Sequence, residues 1–119
     1  MGITFVDIQV ANPANPKKRR KVRLLVDSGA VYSIIPTQIL RRLGIQPTAT
    51  EEYILADGQG ITRKRGNALF FLEGKDGASP VIFGEKGDGS LLGVVTLEAL
   101  GKVFDPIRRE LRPLKMILM

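Results

Sequence analysis

The segment RLLVDSGAVYSII, residues 23–35, sets one acid among apolar neighbours. Leu24, Leu25 and Val26 precede Asp27, and Ser28, Gly29 and Ala30 follow it. An ionised carboxylate in such company is costly unless it is hydrogen-bonded or paired. Ser28 adds a hydroxyl that can donate and accept, and Gly29 lets the backbone turn tightly or approach another chain closely. The sequence has no His and no Cys, which removes imidazole catalysis, thiolate chemistry, disulfides and most zinc sites. The chemistry left is that of a carboxylate and water, with no metal and no cofactor expected. One carboxylate alone turns over poorly, because hydrolysis needs one group to accept a proton and another to donate one. A second copy of the chain supplies the missing acid most simply. Across a two-fold axis Asp27 would face Asp27, and two close carboxylates share a proton rather than both ionise. The bland alternative is a turn acid that bonds its own backbone after a strand.

The elements around this segment read as mainly β. In ITFVDIQV, Val6, Ile8 and Val10 alternate with Asp7 and Gln9, the pattern of a strand with one buried face. NPANPKKRRK has the Asn-Pro punctuation of a loop, so residues 3–27 read as a long-looped hairpin ending in KVRLLVD. PTQILRRLG predicts a short helix that starts at Pro36, turns Ile39, Leu40 and Leu43 to one side and stops at Gly44. EEYILADGQGITRKRGNALFFLEG predicts two strands around Asp57, Gly58, Gln59 and Gly60. PVIFG predicts a short strand. LLGVVTLEALG repeats the earlier plan of apolar strand, Gly and short helix, with Thr96 as its cap, Leu97 and Leu100 on its inner side and Gly101 at its end. The tail KVFDPIRRELRPLKMILM reads as extended with a turn near Asp105-Pro106, and KMILM suits either an intersubunit strand or a core strand.

With 119 residues, 44% of them hydrophobic and 25% charged, the chain fits one soluble globular domain spanning 1–119. No apolar run approaches the roughly 18 residues of a membrane span. The start MGITFVDIQV lacks the basic and apolar regions of a signal peptide. Acylation at Gly2 wants Ser or Thr at position 6, where Val6 stands. The expected compartment is cytoplasmic. The net charge is +6, much of it in Lys17–Lys21 and Arg63–Arg65. Such runs can bind phosphate backbones, but aromatic residues are 6% of the chain and do not interleave with the cations. We read Lys17–Lys21 as a solvated loop rather than a nucleic-acid site. GEKGDGS, residues 84–90, lacks the Lys of a phosphate loop and carries Glu85 and Asp88, which repel phosphate. Asp57 reads as a turn former, and Tyr32, Phe70 and Phe71 as core or pocket lining.

The ordered set LLVDSGA, LADGQGITRKRG, LLGVVTLEALG and VFDPIRRELRP resembles the retropepsin-like (retroviral-type) aspartic proteases, and more the stand-alone prokaryotic and cellular members than the viral ones. The resemblance implies a mainly β, closed-barrel acid-protease half with two short helices. It implies an aspartic endopeptidase that acts as a homodimer on extended or unfolded peptide, with one Asp27 per subunit holding the attacking water. It implies that Ser28 reaches toward the partner subunit, that Gly29 and Ala30 complete the active loop, and that Leu91, Leu92 and Gly93 support it from behind. Asp57, Gly58, Gln59 and Gly60 fall at the tip of a substrate-covering flap. Val31 and Tyr32 stand where viral members commonly have an acid, and Val94 where they commonly have Arg, so the viral specificity pockets and ion pair are not implied. Two other readings stand beside this one: a non-catalytic peptide-binding or dimerisation module of the same fold, and a basic nucleic-acid-binding domain using Lys17–Lys21.

Overall fold

A computed structural model describes residues 3–118 of the chain; Gly2, the acylation candidate, lies outside them. Strands β1 (Phe5–Asn12) and β2 (Asn15–Val26) form an antiparallel hairpin. Their alternating apolar residues point inward: Ile8 and Val10 from β1, and Val22, Leu24 and Val26 from β2, are buried. The basic run is not a loop. Arg19, Arg20 and Lys21 pair with Ala11, Val10 and Gln9, and the turn is confined to Pro13 and Ala14. Asn12 fixes that early turn. Its side-chain oxygen accepts the Ala14 N–H at 2.9 Å, while its amide donates to the Leu43 carbonyl at 3.2 Å. A local side-chain turn of this kind reverses the chain at the first Asn-Pro and leaves the cations in the strand.

Strand β3 (Ser33–Pro36) runs directly into helix α1 (Thr37–Arg42). Pro36 precedes the helix instead of opening it, and Leu40 is its buried residue. A hairpin of β4 (Ala49–Ile54) and β5 (Gly60–Leu72) follows, then β6 (Lys75–Gly84). β6 is twice the strand that PVIFG predicts. Its first half, Lys75–Ser79, has little strand preference of its own but pairs with Ala68–Leu72, and pairing overrides propensity. The β5–β6 turn, Glu73-Gly74, has both φ angles positive (50° and 79°), the geometry that matches strand twist. The chain ends in β7 (Leu91–Leu92), α2 (Val94–Ala99), β8 (Lys102–Asp105) and β9 (Glu110–Pro113).

The large sheet has the order β1-β2-β7-β3-β6-β5-β4, and β1 also pairs with β5 through Gln9–Ala11 and Leu69–Phe71. Pairing therefore returns to its first strand, a ring of β1, β2, β7, β3, β6 and β5 with β4 attached outside. The ring closes on an apolar interior that includes Leu24, Ile35, Phe70, Val81 and Leu92, with Leu40, Leu97 and Leu100 packed in from the two helices. The mainly β architecture with two short helices is as the sequence predicts. Of the predicted tail, β8 and β9 form a separate hairpin, while Met116, Ile117 and Leu118 are exposed and pair with no strand of their own chain, so they are not a core strand.

Asp105 organises the β8–β9 turn by accepting the N–H groups of Ile107 (2.9 Å) and Arg108 (3.1 Å). These bonds, Arg108 first, with help from Arg112, hold its carboxyl below the ordinary Asp range. A depressed folded pKa stabilises the fold above the unfolded value of about 3.9, and that contribution is lost as pH falls through the folded pKa. Urea unfolding at neutral and acid pH tests this. Asp105→Asn should lose less stability on acidification than the unsubstituted protein, and equal losses would remove Asp105 from the account.

Candidate active site

Asp27 sits where β2 ends. Leu25 and Val26 pair in parallel with Leu91 and Leu92, and the Asp27 N–H donates to the Leu92 carbonyl at 3.1 Å. The chain then turns at once. Gly29 N–H donates to Asp27 Oδ1 at 2.9 Å, and Ala30 N–H to the Asp27 carbonyl at 3.1 Å. The self-capping contact of a turn acid is thus present. It occupies one carboxylate oxygen, and the side chain still borders a cleft of about 490 Å³.

The segment behind the loop holds it by main-chain bonds. Val94 N–H donates to Ala30 O at 2.9 Å and Val95 N–H to Val31 O at 3.0 Å, so the first free donors of α2 are satisfied by the carbonyls of the active loop. That docking requires a residue without a side chain at Gly93, where a Cβ would lie 2.6 Å from the Tyr32 carbonyl carbon. Thr96 does not cap α2. Gly93 occupies the capping position, and the loop carbonyls have already done a cap's work. Thr96 is instead fully buried between Ser33 and Ser79, at 2.5 and 2.8 Å. Gly93 N–H donates to Ser33 Oγ at 2.9 Å, and Ser79 Oγ donates to Pro80 O at 3.0 Å. A one-way chain from Gly93 through Ser33, Thr96 and Ser79 to Pro80 uses every hydroxyl, and bonds in such chains strengthen one another. Sequence reading missed Ser33 and Ser79 as partners; the available signal was a lone hydroxyl inside each of the apolar runs YSII, SPVIF and VVTL.

The walls of the cleft are mostly apolar. Ile34, Ile82 and Leu91 line it from the barrel side; Tyr53, Ile54, Leu55, Ala56 and Ile61 line it from the β4–β5 hairpin. Tyr32 and Tyr53 meet edge to face, with centroids 6.4 Å apart. Phe70 is core, and Phe71 lies under the Arg19 guanidinium on the outer surface. At the hairpin tip, Gly58 N–H reaches Leu55 O, Leu55 N–H reaches Gln59 O, and Gln59 N–H reaches Asp57 Oδ1. Asp57, Gly58, Gln59 and Gly60 are exposed and outside the cleft lining; the hairpin flanks on both sides of them provide it. Ser28 also stands apart. It borders a separate hollow of about 150 Å³ with Val94, Leu97, Phe104 and Leu114. Asp27, Gly29, Ala30 and Leu91 are brought to the cleft, while Leu92 and Gly93 are buried behind the loop.

A second acid, Asp88, also lines the cleft. Arg63 grips it with two bonds, Nε to Oδ2 at 2.7 Å and Nη2 to Oδ1 at 2.9 Å, and Glu85 N–H adds a third at 2.8 Å. The Arg63 bonds lead the causes that hold its carboxyl below the usual Asp value. It remains an anion neutralised by its partner and has no proton to give near neutral pH. Asp27 belongs to no ion pair among the described residues. No cluster of three or more metal-ligating side chains occurs among the described residues.

The sequence model of the aspartyl protease family matches residues 8–94, a span that includes Asp27, the whole β4–β5 hairpin and Leu91–Gly93. The chain belongs to the aspartyl protease family. No curated protein matches it. Among solved structures it is similar to the crystal structure of a retropepsin-like aspartic protease from Rickettsia conorii, with 22% identity over 88% of this chain and 94% of that one and a TM-score of 0.47.

Thr96→Val keeps the shape of the side chain and removes the central hydroxyl behind the active loop. Ser33 and Ser79 then lose a buried partner, at a cost of about 1–3 kcal/mol. Urea unfolding measures this, and an unchanged midpoint would show that the hydroxyl chain contributes nothing.

Proposed function

We propose that the chain is an aspartic endopeptidase that works as a homodimer, hydrolysing extended peptide with water held between two Asp27 carboxylates. The observation that carries this reading is the contrast between the two acids of the cleft. Asp88 is locked as an anion by Arg63, so one chain offers one carboxylate for proton transfer, and the second must come from a second copy. Two Asp27 side chains brought together across a two-fold axis share one proton, because like charges at close range cannot both ionise; aspartic proteases are the familiar case.

The steps then balance. The ionised Asp27 takes a proton from water as the water oxygen attacks the scissile carbonyl carbon, and the protonated Asp27 gives its proton to the carbonyl oxygen. The tetrahedral diol then collapses: the protonated Asp27 gives its proton to the amide nitrogen, the ionised Asp27 takes one from a diol hydroxyl, and the C–N bond breaks to release a carboxylic acid and an amine, which leaves the pair with a single proton again. Gly29 and Ala30 keep the loop open to a peptide backbone. The β4–β5 hairpin covers the peptide and excludes water, with Asp57–Gly60 at its tip. The Ile, Leu and Tyr walls favour apolar side chains on both sides of the cut. Ser28, exposed beside its own hollow, meets the partner's loop in this reading.

Cleavage of a peptide library, read by mass spectrometry, tests the proposal. Activity should follow a bell-shaped pH profile with its maximum where the pair holds one proton, and pepstatin-type inhibitors should suppress it. Asp27→Asn should lower the rate at least about 100-fold, since general acid–base catalysis contributes that much or more, while sedimentation still shows a dimer. Undiminished cleavage by Asp27→Asn, or full activity from a monomer, refutes the mechanism. Peptide binding without cleavage at any pH would assign the chain to the non-catalytic reading.

A further inference from the structure

The cations of β2 have no counterpart in the active-site chemistry. Lysines and arginines number 18 and acids 12. Six of the cations are Lys17, Lys18, Arg19, Arg20, Lys21 and Arg23, so the remainder of the chain is balanced and the whole excess of +6 lies on one strand. All six are exposed, and none forms an ion pair among the described residues. A strand edge needs a charge or two to discourage accidental pairing. Six with no acid among them exceed that need.

The same strand has an open edge. Val26 N–H turns to Thr4 on the β1 side, while Leu25 N–H turns the other way, to Ser90. By the alternation of a strand, Arg19, Lys21 and Arg23 direct their N–H and C=O groups away from β1. On that side β7 pairs with Leu25 and Val26, and no strand among the described residues pairs with the stretch before them. The two faces of the strand differ. On the outer face Arg19 and Lys21 share a groove with Asp7, Glu73 and Asp76, which weaken any pull on an anion. On the other face Lys18 and Arg20 continue the line of Val22 and Leu24, and Lys18 Nζ donates to Arg42 O at 3.1 Å, which brings the α1 end, with exposed Arg41 and Arg42, alongside.

We infer that the free edge of β2 is a docking site for an extended acidic polypeptide segment, which adds as a strand with its acids at alternate positions facing Arg20, Lys18 and the end of α1. Main-chain bonds to the Arg19, Lys21 and Arg23 edge give affinity, and the alternating cations select the sequence. A polypeptide is favoured over a nucleic acid because the open groups are those of a strand edge, and because Phe71, the aromatic ring beside the run, is already covered by Arg19 with its guanidinium carbon 3.5 Å from the ring centroid.

Fluorescence anisotropy at low salt tests this with three probes: a short peptide of alternating Glu and Thr, its Lys-Thr counterpart, and a thymidine oligonucleotide. All proteins carry Asp27→Asn so that no probe is cut; binding is read rather than turnover, and the outcome does not depend on the protease reading. The Glu-Thr peptide should bind, more weakly as salt rises, and the Lys-Thr peptide should not. Lys21→Pro removes one edge donor where proline is tolerated and should weaken Glu-Thr binding about tenfold. Arg20→Gln with Arg41→Gln and Arg42→Gln, a change at exposed positions that leaves the backbone alone, should weaken it at least as much. Equal or tighter binding of the oligonucleotide, unaffected by Lys21→Pro, would overturn the inference in favour of a nucleic-acid site. Binding of neither anion would reduce the run to edge protection.

Discussion

The docking of Gly93 and the start of α2 onto the backbone of the active loop is the contact on which the rest of the site depends. Three main-chain bonds, from Asp27, Val94 and Val95, join two segments far apart in sequence, and they form because Gly93 presents no side chain to Tyr32. Without that approach the loop Asp27–Val31 would leave its carbonyls and α2 its first N–H groups without partners, and unpaired buried backbone is costly. The hydroxyls of Ser33, Thr96 and Ser79 extend the same contact inward to β6. The carboxylate is therefore positioned by β2, β3, β6, β7 and α2 together, and its turn is a consequence of the barrel rather than a detachable loop.

The two acids that line the cleft differ in their partners. Asp88 is paired to Arg63 with both side chains largely buried, 17% and 16% exposed. A two-pronged bond of this kind holds a fixed geometry as well as a charge. It ties the loop after β6 to strand β5 of the overhanging hairpin, so the pair braces two walls of the cleft while adding almost no net charge to it. Asp27 has a backbone amide and, among the described residues, no cation. The difference is one of role: one acid builds the wall, the other is left available.

Much of this was legible in the sequence, for physical reasons that also mark where legibility stopped. Periodicity marks β1, β2 and both helices, because each buries one face, while the turn cluster Asp57–Gly60 marks the β4–β5 hairpin, whose first strand buries no residue. The Leu-Gly ends of the helices were readable because Gly44 and Gly101 adopt positive φ, 76° and 67°. The Asp27 segment and Leu91–Gly93 were legible as a pair, but the bonds that join them are main-chain and leave no trace in side-chain pattern. The loop assigned to Lys17–Lys21 failed because a strand that projects beyond the core needs no apolar alternation, and the long-range bond from Asn12 to Leu43 that fixes the turn is invisible locally. Thr96 has the type and position of a cap, but the carbonyls of Ala30 and Val31 take that role. Arg63 and Asp88 stand 25 positions apart, and nothing in either neighbourhood announces the other.

In the proposed dimer, symmetry itself has an electrostatic consequence. The two Asp27 side chains would sit in identical surroundings, so no difference between the subunits can decide which one holds the proton. Any separation of the two titration steps must then come from the repulsion between the carboxylates. A stray charge in the cleft would not break that symmetry, since the axis would repeat it, but it would move both steps in the same direction and displace the range in which one proton is shared. A charged group can line this cleft without that effect only if its charge is cancelled on the spot. The grip of Arg63 on Asp88 meets that condition, and the Ile and Leu walls meet it by having no ionisable group. In that dimer an apolar cleft would keep the range of the shared proton in place as well as suit apolar peptide, and the two would follow from the same residues.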